Sequence, residues 1–504
     1  MRVTADHLVD ERDQDAGAAG ADGVDGLIQL TRDGGTTWKD VTPPELKPWS
    51  KVTQMDAGHF DPLTAYASVS RFRLDDLHPY IYRTHDGGKT WQKITNGLPE
   101  DPVDVVREDP VRKGLLFAGT ERQVYVSFDD GDHWQSLRLN MPATSIRDLV
   151  IHIDDVAVAT HGRSFWILDD ITPLRQINAQ IVNSAAYLFK PQTAYRVRWN
   201  QNTDTPLPPE EPAGQNPPDG AILNYYLNSK AAEPVTIEII DHAGKSVRRF
   251  SSDDKPEVTK EELKKELHVP THWVRMPEIN SAEAGIHRYV WDLHYPPINS
   301  LRHEYPISAI DKNTPREPRG PLALPGTYSV KLTVAGKTYT QPLIVKMDPR
   351  ILTPFTGLEQ QFSLSMQIAE ALDRDYKALQ EVKKLRTQLK ELRGRPGTEK
   401  LAEPIAALDK KAAALEGGSR ESDGPGIGGG GEDNLTRLNG ELGTLFEIID
   451  SADAPPTTQA AASVAELQKT LTSLLARWKE LQTKDVTPLH EQLMKANLPN
   501  HEPE

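Results

Sequence analysis

One eight-residue phrase occurs three times in the chain: TRDGGTTW at 31–38, THDGGKTW at 84–91 and SFDDGDHW at 127–134. Each copy has Asp in third place, Gly in fifth and Trp in eighth. The positions are Asp33, Gly35 and Trp38; Asp86, Gly88 and Trp91; and Asp129, Gly131 and Trp134. The tryptophans recur at intervals of 53 and 43 residues, about the length of one four-stranded propeller blade. Short strand-like runs flank the copies: YIYRT and WQKIT around the second, QVYVSF and WQSLRL around the third. Each phrase is therefore expected to be a hairpin turn between neighbouring strands. An Asp side chain accepts hydrogen bonds from backbone N–H groups in such a loop. Glycine supplies a positive φ, and Trp brings enough apolar surface to lock the turn onto its blade. The third copy carries Asp130 and His133 where the others have Gly and Thr, yet keeps the three key positions.

The supply of strands limits how many blades can form. Between the first two copies lie VTQMDAGH and LTAYASVSRF; between the second and third, VDVVRE and GLLFAGT. IRDLVIH, DVAVATH and RSFWILD follow the third, while only GLIQLT precedes the first. About three and a half blades are expected, too few for a regular ring and with open sheet edges at both ends. On this reading the chain is the C-terminal portion of a longer propeller protein, and the missing N-terminal blades belong to the intact molecule. Residues 1–25 are acidic, lack the apolar stretch of a signal peptide, and are expected to be a disordered lead-in.

The phrase resembles the Asp-box, or BNR repeat, of sialidase, xyloglucanase-type and sortilin-type propellers. The runs YIYRTHDGGKTW, VVREDPVRKGLLFAGTERQVYVSFDDGDHWQSL and ATHGRSFWILDDITPLRQ resemble large bacterial proteins labelled glycosyl hydrolase, BNR-repeat or sortilin-like. The likeness extends from about Gly26 through FKPQTAYRVRW, WDLHYP and PGTYSVKLTVAGKTYTQPL. It implies a partial Asp-box β-propeller over 26–178, in a protein that is secreted or periplasmic when intact. It also implies that the nine box residues are structural and lie away from any active face, with no catalytic residue among them.

Beyond the propeller, 179–220 reads as a linker or extended connection, Pro-rich over its second half. Residues 221–349 alternate with period two between Gly turns, as in GTYSVKLTV, where Tyr328, Val330, Leu332 and Val334 share a face; an immunoglobulin-like β-sandwich is expected. From 350 to 496 the period becomes helical. Leu372, Tyr376, Leu379, Val382, Leu389 and Leu392 form one stripe, and Val464, Leu467, Leu471, Leu474, Trp478 and Leu481 another. A helical bundle is expected, with a disordered Gly-rich loop over 417–432. The fold class is thus mostly β with an α C-terminus.

Composition excludes several functions. A net charge of −15 opposes a nucleic-acid partner, which needs a basic face. The absence of cysteine removes disulfides and thiolate chemistry, and no apolar run is long enough for a membrane span. GPGIGGG at 424–430 matches a dinucleotide glycine pattern but lacks the preceding strand, and DDGD at 129–132 fails calcium-loop spacing. Neither cofactor nor metal is expected. The polar candidates for a ligand-facing surface are Arg71, Arg73, Arg107, Glu108, Asp109, His161 and Arg163. Their plainer use is to pin neighbouring blades through Arg–carboxylate pairs; their functional use is a polar pocket that contacts a ligand. The expected function is a non-catalytic interaction protein binding a protein, peptide or glycan outside the cytoplasm. The alternative is a fragment of a glycoside hydrolase whose two catalytic carboxylates lie partly in missing blades.

Overall fold

The computed structural model describes Ala18–Asp22 and Gly26–Lys495, except 199–207, 209, 212–213, 215, 257, 268, 277, 307–309, 394, 396–397 and 418–431. Most of the expected loop 417–432 thus lies outside the described residues. The chain divides into two compact units, Met1–Val182 and Asn183–Glu504.

Among the described residues the first unit holds four antiparallel sheets, each built from consecutive strands. β1 (Ala18–Asp22), β2 (Leu27–Thr31) and β3 (Lys39–Asp40) form the first. β4 (Lys51–Ala57), β5 (Ala65–Arg71), β6 (Asp76–Thr84) and β7 (Gln92–Lys93) form the second. β8 (Val103–Glu108), β9 (Leu116–Thr120), β10 (Val124–Ser127) and β11 (Gln135–Ser136) form the third, and β12 (Ile146–His152), β13 (Asp155–Thr160) and β14 (Phe165–Leu168) the fourth. The sheets stack face to face in chain order. Ile28 and Val41 pack with Val52, Ala67 and Val69; Tyr66 and Ile81 pack with Val106, Ala118 and Tyr125; Val105, Phe117 and Val126 pack with Leu149, Val156 and Val158. The third sheet is covered on both faces, and β9 and β10 are accordingly buried at every position, as continuous apolar runs such as LLFAG require. At Gly119 a Cβ would lie 2.5 Å from Ile146 Cγ2 and 2.6 Å from Val105 Cγ1, so the third and fourth sheets approach too closely there for any side chain. Short helices α1 (Thr172–Gln176) and α2 (Ala179–Val182) end the unit.

The lead-in expected over 1–25 needs correction within its described part. Ala18–Asp22 pairs antiparallel with β2, from Ala18 opposite Thr31 to Asp22 opposite Leu27, because a strand edge left open by β2 accepts even a segment of small residues. Among the described residues no strand of the first sheet pairs with one of the fourth, and no buried apolar cluster joins those two sheets.

The second unit begins inside the stretch expected to be a linker. β15 (Ala186–Leu188) and β16 (Ala194–Arg196) are strands, since Leu188, Phe189 and Ala194 are buried apolar residues that a solvated connection would expose. They join β17 (Ala221–Leu227), β18 (Thr236–Ile240), β19 (Ser246–Ser251), β20 (Gly285–Trp291), β21 (Gly326–Val334) and β22 (Lys337–Met347) in two sheets, ordered β15-β17-β20 and β16-β22-β21-β18-β19. β16 runs parallel to β22. The two sheets share one core, in which Leu223, Tyr225 and Trp291 meet Ile237, Val330, Leu332 and Val345. Trp291 and Tyr328 stack edge to face at 5.6 Å.

A short helix α3 (Lys260–Glu266) precedes the helical part, made of α4 (Phe355–Arg393), α5 (Ala402–Glu416), α6 (Leu435–Asp450), α7 (Thr458–Leu481) and α8 (Thr487–Lys495). Leu372, Leu379, Val382 and Leu389 share its core with Val464, Leu471, Leu474, Trp478 and Leu481. The two sheets and the helices are tied by charge. Arg196, on β16, places Nη2 2.6 Å from Asp453 Oδ1, and Arg198 reaches the same oxygen at 2.8 Å and Asp450 at 3.2 Å. Breaking such a buried pair leaves an uncompensated charge.

Asp375 on α4 is fully buried. It accepts one hydrogen bond, from Asn439 Nδ2 at 3.1 Å, and its Oδ1 has no partner. Burial pushes its carboxyl up to about 7. Between about pH 4 and 7 the native state therefore holds a proton that the unfolded chain releases, so stability falls as pH rises through that window. Asp375→Asn is expected to remove this part of the slope, read as the difference between wild-type and variant melting temperatures across pH 4 to 7.

Candidate functional site

The three repeat loops share one set of bonds. A hydroxyl at the end of the preceding strand (Thr31, Thr84 or Ser127) donates to the Asp Oδ1 at 2.9 Å in all three. The same hydroxyl accepts the N–H of Gly35, Gly88 or Gly131 at 2.9, 3.0 and 2.9 Å. The Asp then accepts the backbone N–H four residues on, from Thr37, Thr90 or His133, at 2.8, 2.9 and 2.9 Å. Hydrogen bonds from the Thr37 side chain and backbone hold Asp33 down at about 2, and those from Thr90 do the same for Asp86. Burial raises the Asp129 carboxyl, but bonding to His133 outweighs it and leaves a net lowering.

The loops also join sheets. Trp91 Nε1 donates to Val41 O at 2.6 Å, and Trp134 Nε1 to Ile94 O at 2.9 Å. Val41 and Ile94 occupy matching places just after the last strand of their sheets: their N–H groups bond Ile28 O and Ile81 O. The loop glycine presses on the same residue. A Cβ at Gly88 would lie 2.7 Å from Val41 Cβ, and one at Gly131 2.3 Å from Ile94 Cδ1. Among the described residues no sheet precedes that of Trp38, which is 49% exposed and donates to its own loop at Gly35 O, 3.1 Å away.

Asp130, which replaces a Gly in the third loop, stands in the left-handed region at φ 62, a conformation Asp tolerates. Its carboxylate accepts from Tyr66 OH at 2.6 Å, lies 2.9 Å from His85 Nε2 and pairs with Arg83 at 3.0 Å. The Asp in place of Gly is thus a tie to the second sheet.

The antiparallel topology sorts the polar candidates into two ends. The repeat loops lie beside the connections between first and second strands, as the Gly87 N–H to Leu63 O and Asp130 N–H to Gly114 O bonds require. Arg107, Glu108 and Asp109 are at this end and are engaged in ties. Arg107 reaches Asp56 at 3.1 Å and Asp148 at 3.3 Å. Glu108 accepts the His59 and Gly114 N–H groups at 2.8 and 3.2 Å. Asp109 is fully buried against Arg175, at 2.9 Å. Arg71, Arg73, His161 and Arg163 are at the opposite end, in or beside the turns between second and third strands. Arg71 is held by Asp76 at 3.0 Å and Ser50 Oγ at 2.7 Å, whereas Arg73, His161 and Arg163 are exposed.

At that opposite end the structure assembles a cluster that composition and spacing do not announce. Pairing registers shift at the same place in three first strands, between Val52 and Gln54, Val103 and Val105, and Ile146 and Asp148. The residues skipped are Thr53, Asp104 and Arg147, and such bulges re-aim a side chain. Thr53 Oγ1 donates to Val103 O at 3.3 Å, and Arg147 Nη1 sits 3.1 Å from both Asp104 Oδ2 and Glu121 Oε1. Burial, then the neighbouring Glu121 carboxylate, push Asp104 up to about 7 against the pull of Arg147. Among the described residues no group of three His, Asp or Glu is placed to hold a metal ion, and no helix is long and apolar enough to cross a membrane.

No protein-family model and no curated protein matches the chain. Among solved structures, YCF48 bound to D1 peptide is similar at 16% identity, over 47% of this chain and 65% of that one, with a TM-score of 0.25. The GH74 xyloglucanase from Xanthomonas campestris is similar at 14% identity, over 64% and 68%, with a TM-score of 0.24. The WD40 domain of Toxoplasma gondii coronin is similar at 10% identity, over 64% and 66%, with a TM-score of 0.23. This chain thus spans 65% of the YCF48 structure's length. Likeness at this level assigns neither family nor activity to the chain.

The joint between loop and sheet makes a double-substitution test. Gly131→Ala meets Ile94 Cδ1 and a φ of +90°, and is expected to destabilise the first unit by about 3 kcal/mol. Ile94→Val removes the colliding methyl, so Gly131→Ala costs less in that background by denaturant unfolding; the backbone strain remains.

Proposed function

We propose that the chain is a non-catalytic interaction protein. In this reading the four sheets are blades of an Asp-box β-propeller, and the ligand (a protein, peptide or glycan outside the cytoplasm) binds at the end opposite the repeat loops. The second unit, read as an immunoglobulin-like sandwich with a helical bundle, serves as spacer or docking platform. One observation carries the proposal: apart from Arg71, which Asp76 and Ser50 hold, the candidate residues named from the sequence divide by end. At the repeat-loop end Asp56, Arg107 and Glu108 are taken up in bonds that join neighbouring sheets and Asp109 in a pair with Arg175 of α1, and groups so engaged serve packing. At the other end Arg73, His161 and Arg163 face solvent, near turns whose neighbours Asp104, Glu121 and Arg147 are held in fixed positions. Exposed polar side chains on turns anchored by a rigid scaffold suit recognition.

Screening the full chain against glycan and peptide arrays tests this. A bound ligand is expected to be lost in Arg73→Glu or Arg163→Glu with no change in melting temperature, because both side chains are exposed. Release of reducing sugar from xyloglucan or of sialic acid from a sialoside would favour the hydrolase reading instead.

A further inference from the structure

The connection from the first sheet to the second ends in a tight turn, Lys47–Ser50, closed by the Ser50 N–H on Lys47 O at 3.3 Å. Pro48 is second in this turn and Trp49 third, where φ is 63°. A positive φ in third place ordinarily calls for glycine or asparagine. The connection into the third sheet obeys that rule: the Leu98 N–H closes on Thr95 O at 3.1 Å, with Gly97 in third place at a φ of 93°. For a bulky side chain the same conformation is strained. Trp49 gains no burial in return, since it is 70% exposed.

The strained turn is pinned from the strand beside it. Arg71 Nη1 reaches Lys47 O at 3.4 Å, Pro48 O at 3.3 Å and Ser50 Oγ at 2.7 Å, and Asp76 holds the same guanidinium at 3.0 Å. Ser50 is buried, and its hydroxyl donates to Lys47 O at 2.6 Å. Backbone strain persists only where the surroundings over-determine it, and it gathers where ligands are held. Arg71 leads into the turn between β5 and β6. There Phe72 is 42% exposed, and the Arg73 guanidinium stands 5.8 Å over its ring. Lys51 pairs with Ser70, so the two turns are neighbours, at the end opposite the repeat loops. Two aromatic side chains and an exposed guanidinium are thus presented to solvent on one fixed frame.

We infer that Trp49, with Phe72 and Arg73, is a sugar-stacking platform, and that the ligand taken at this end is a glycan. The inference rests on the reading of this end as the ligand-binding one. The C–H face of a sugar ring is apolar and faintly positive, and so matches the negative face of an indole. Its rim hydroxyls accept hydrogen bonds from a guanidinium. Lys47, Arg73 and Asp75 are all exposed around the aromatics, a mixture of signs that suits a neutral ligand rich in hydroxyls. An anionic lipid surface attracts clusters of basic residues, and the net charge of −15 opposes it.

Titration of the full chain with cellohexaose, xylohexaose, mannohexaose and chitohexaose, read by calorimetry and tryptophan fluorescence, tests the inference; decaproline serves as the peptide probe. At least one hexaose is expected to bind and to shift the emission. Trp49→Gly is expected to weaken that binding about tenfold or more. Its melting temperature is expected to stay at or above that of the wild type, because glycine accepts the positive φ. A clear fall in melting temperature makes the indole part of the fold and overturns the inference. Hexaose binding that survives Trp49→Gly but is lost in Arg163→Glu also overturns it, while keeping the ligand at this end. Binding that survives both substitutions overturns the reading of the end as well. Binding of decaproline alone, or of no probe at millimolar concentration, overturns the glycan assignment.

Discussion

The structure of the first unit depends on one joint. A tryptophan at the end of a tight loop donates its indole N–H to a backbone carbonyl of the preceding sheet, and a glycine in the same loop presses against that residue's side chain. The indole supplies apolar area together with a directed hydrogen bond, so it fixes both the distance and the rotation between sheets. Glycine is needed twice over at this point, for its positive φ and for the missing Cβ. The Asp of the loop never crosses to the other sheet in this joint. It shapes the turn from within by accepting an N–H four residues on, and so presents glycine and tryptophan at the right height.

Charged groups follow the same division between shaping and joining. Arg107 spans the second and fourth sheets from the third, and Glu108 gathers two N–H groups from successive loops. Asp130 adds a three-sided tie to Tyr66, His85 and Arg83. These contacts are partly or fully buried, where an unpaired charge is costly, so they specify which sheet follows which. The second unit repeats the principle with Arg196 and Asp453, which hold β16 against the turn after α6. The same low-dielectric surroundings lift the carboxyls of Asp104 and Asp375 toward neutrality, since neither has enough partners to stay ionised cheaply.

Much of the local structure was legible in the sequence because it follows from local rules. The loop bonds need only a hydroxyl, an Asp and a Gly at fixed short spacing, so three copies of the phrase sufficed to place three hairpins. Alternation in GTYSVKLTV placed Tyr328, Val330 and Leu332 on the buried face of β21, and the two leucine stripes marked a shared helical core. Other elements were not legible. Ala18–Asp22 has no strand-like composition and pairs only because β2 offers an edge, and β16 finds its parallel partner β22 about 150 residues away.

For the candidate surface the division is sharper. Sequence alone determined which residue types are present and which short turns they occupy, because turn chemistry is decided within a few residues. It could not tell Arg107, Glu108 and Asp109, engaged in ties to neighbouring sheets or to α1, from Arg73, His161 and Arg163, which face solvent. Nor could it align Thr53, Asp104 and Arg147, since a bulge is defined by pairing and leaves no mark in a single strand. Only the tertiary structure decided these, because end, face and neighbour on a sheet stack are set by how separate strands register against one another.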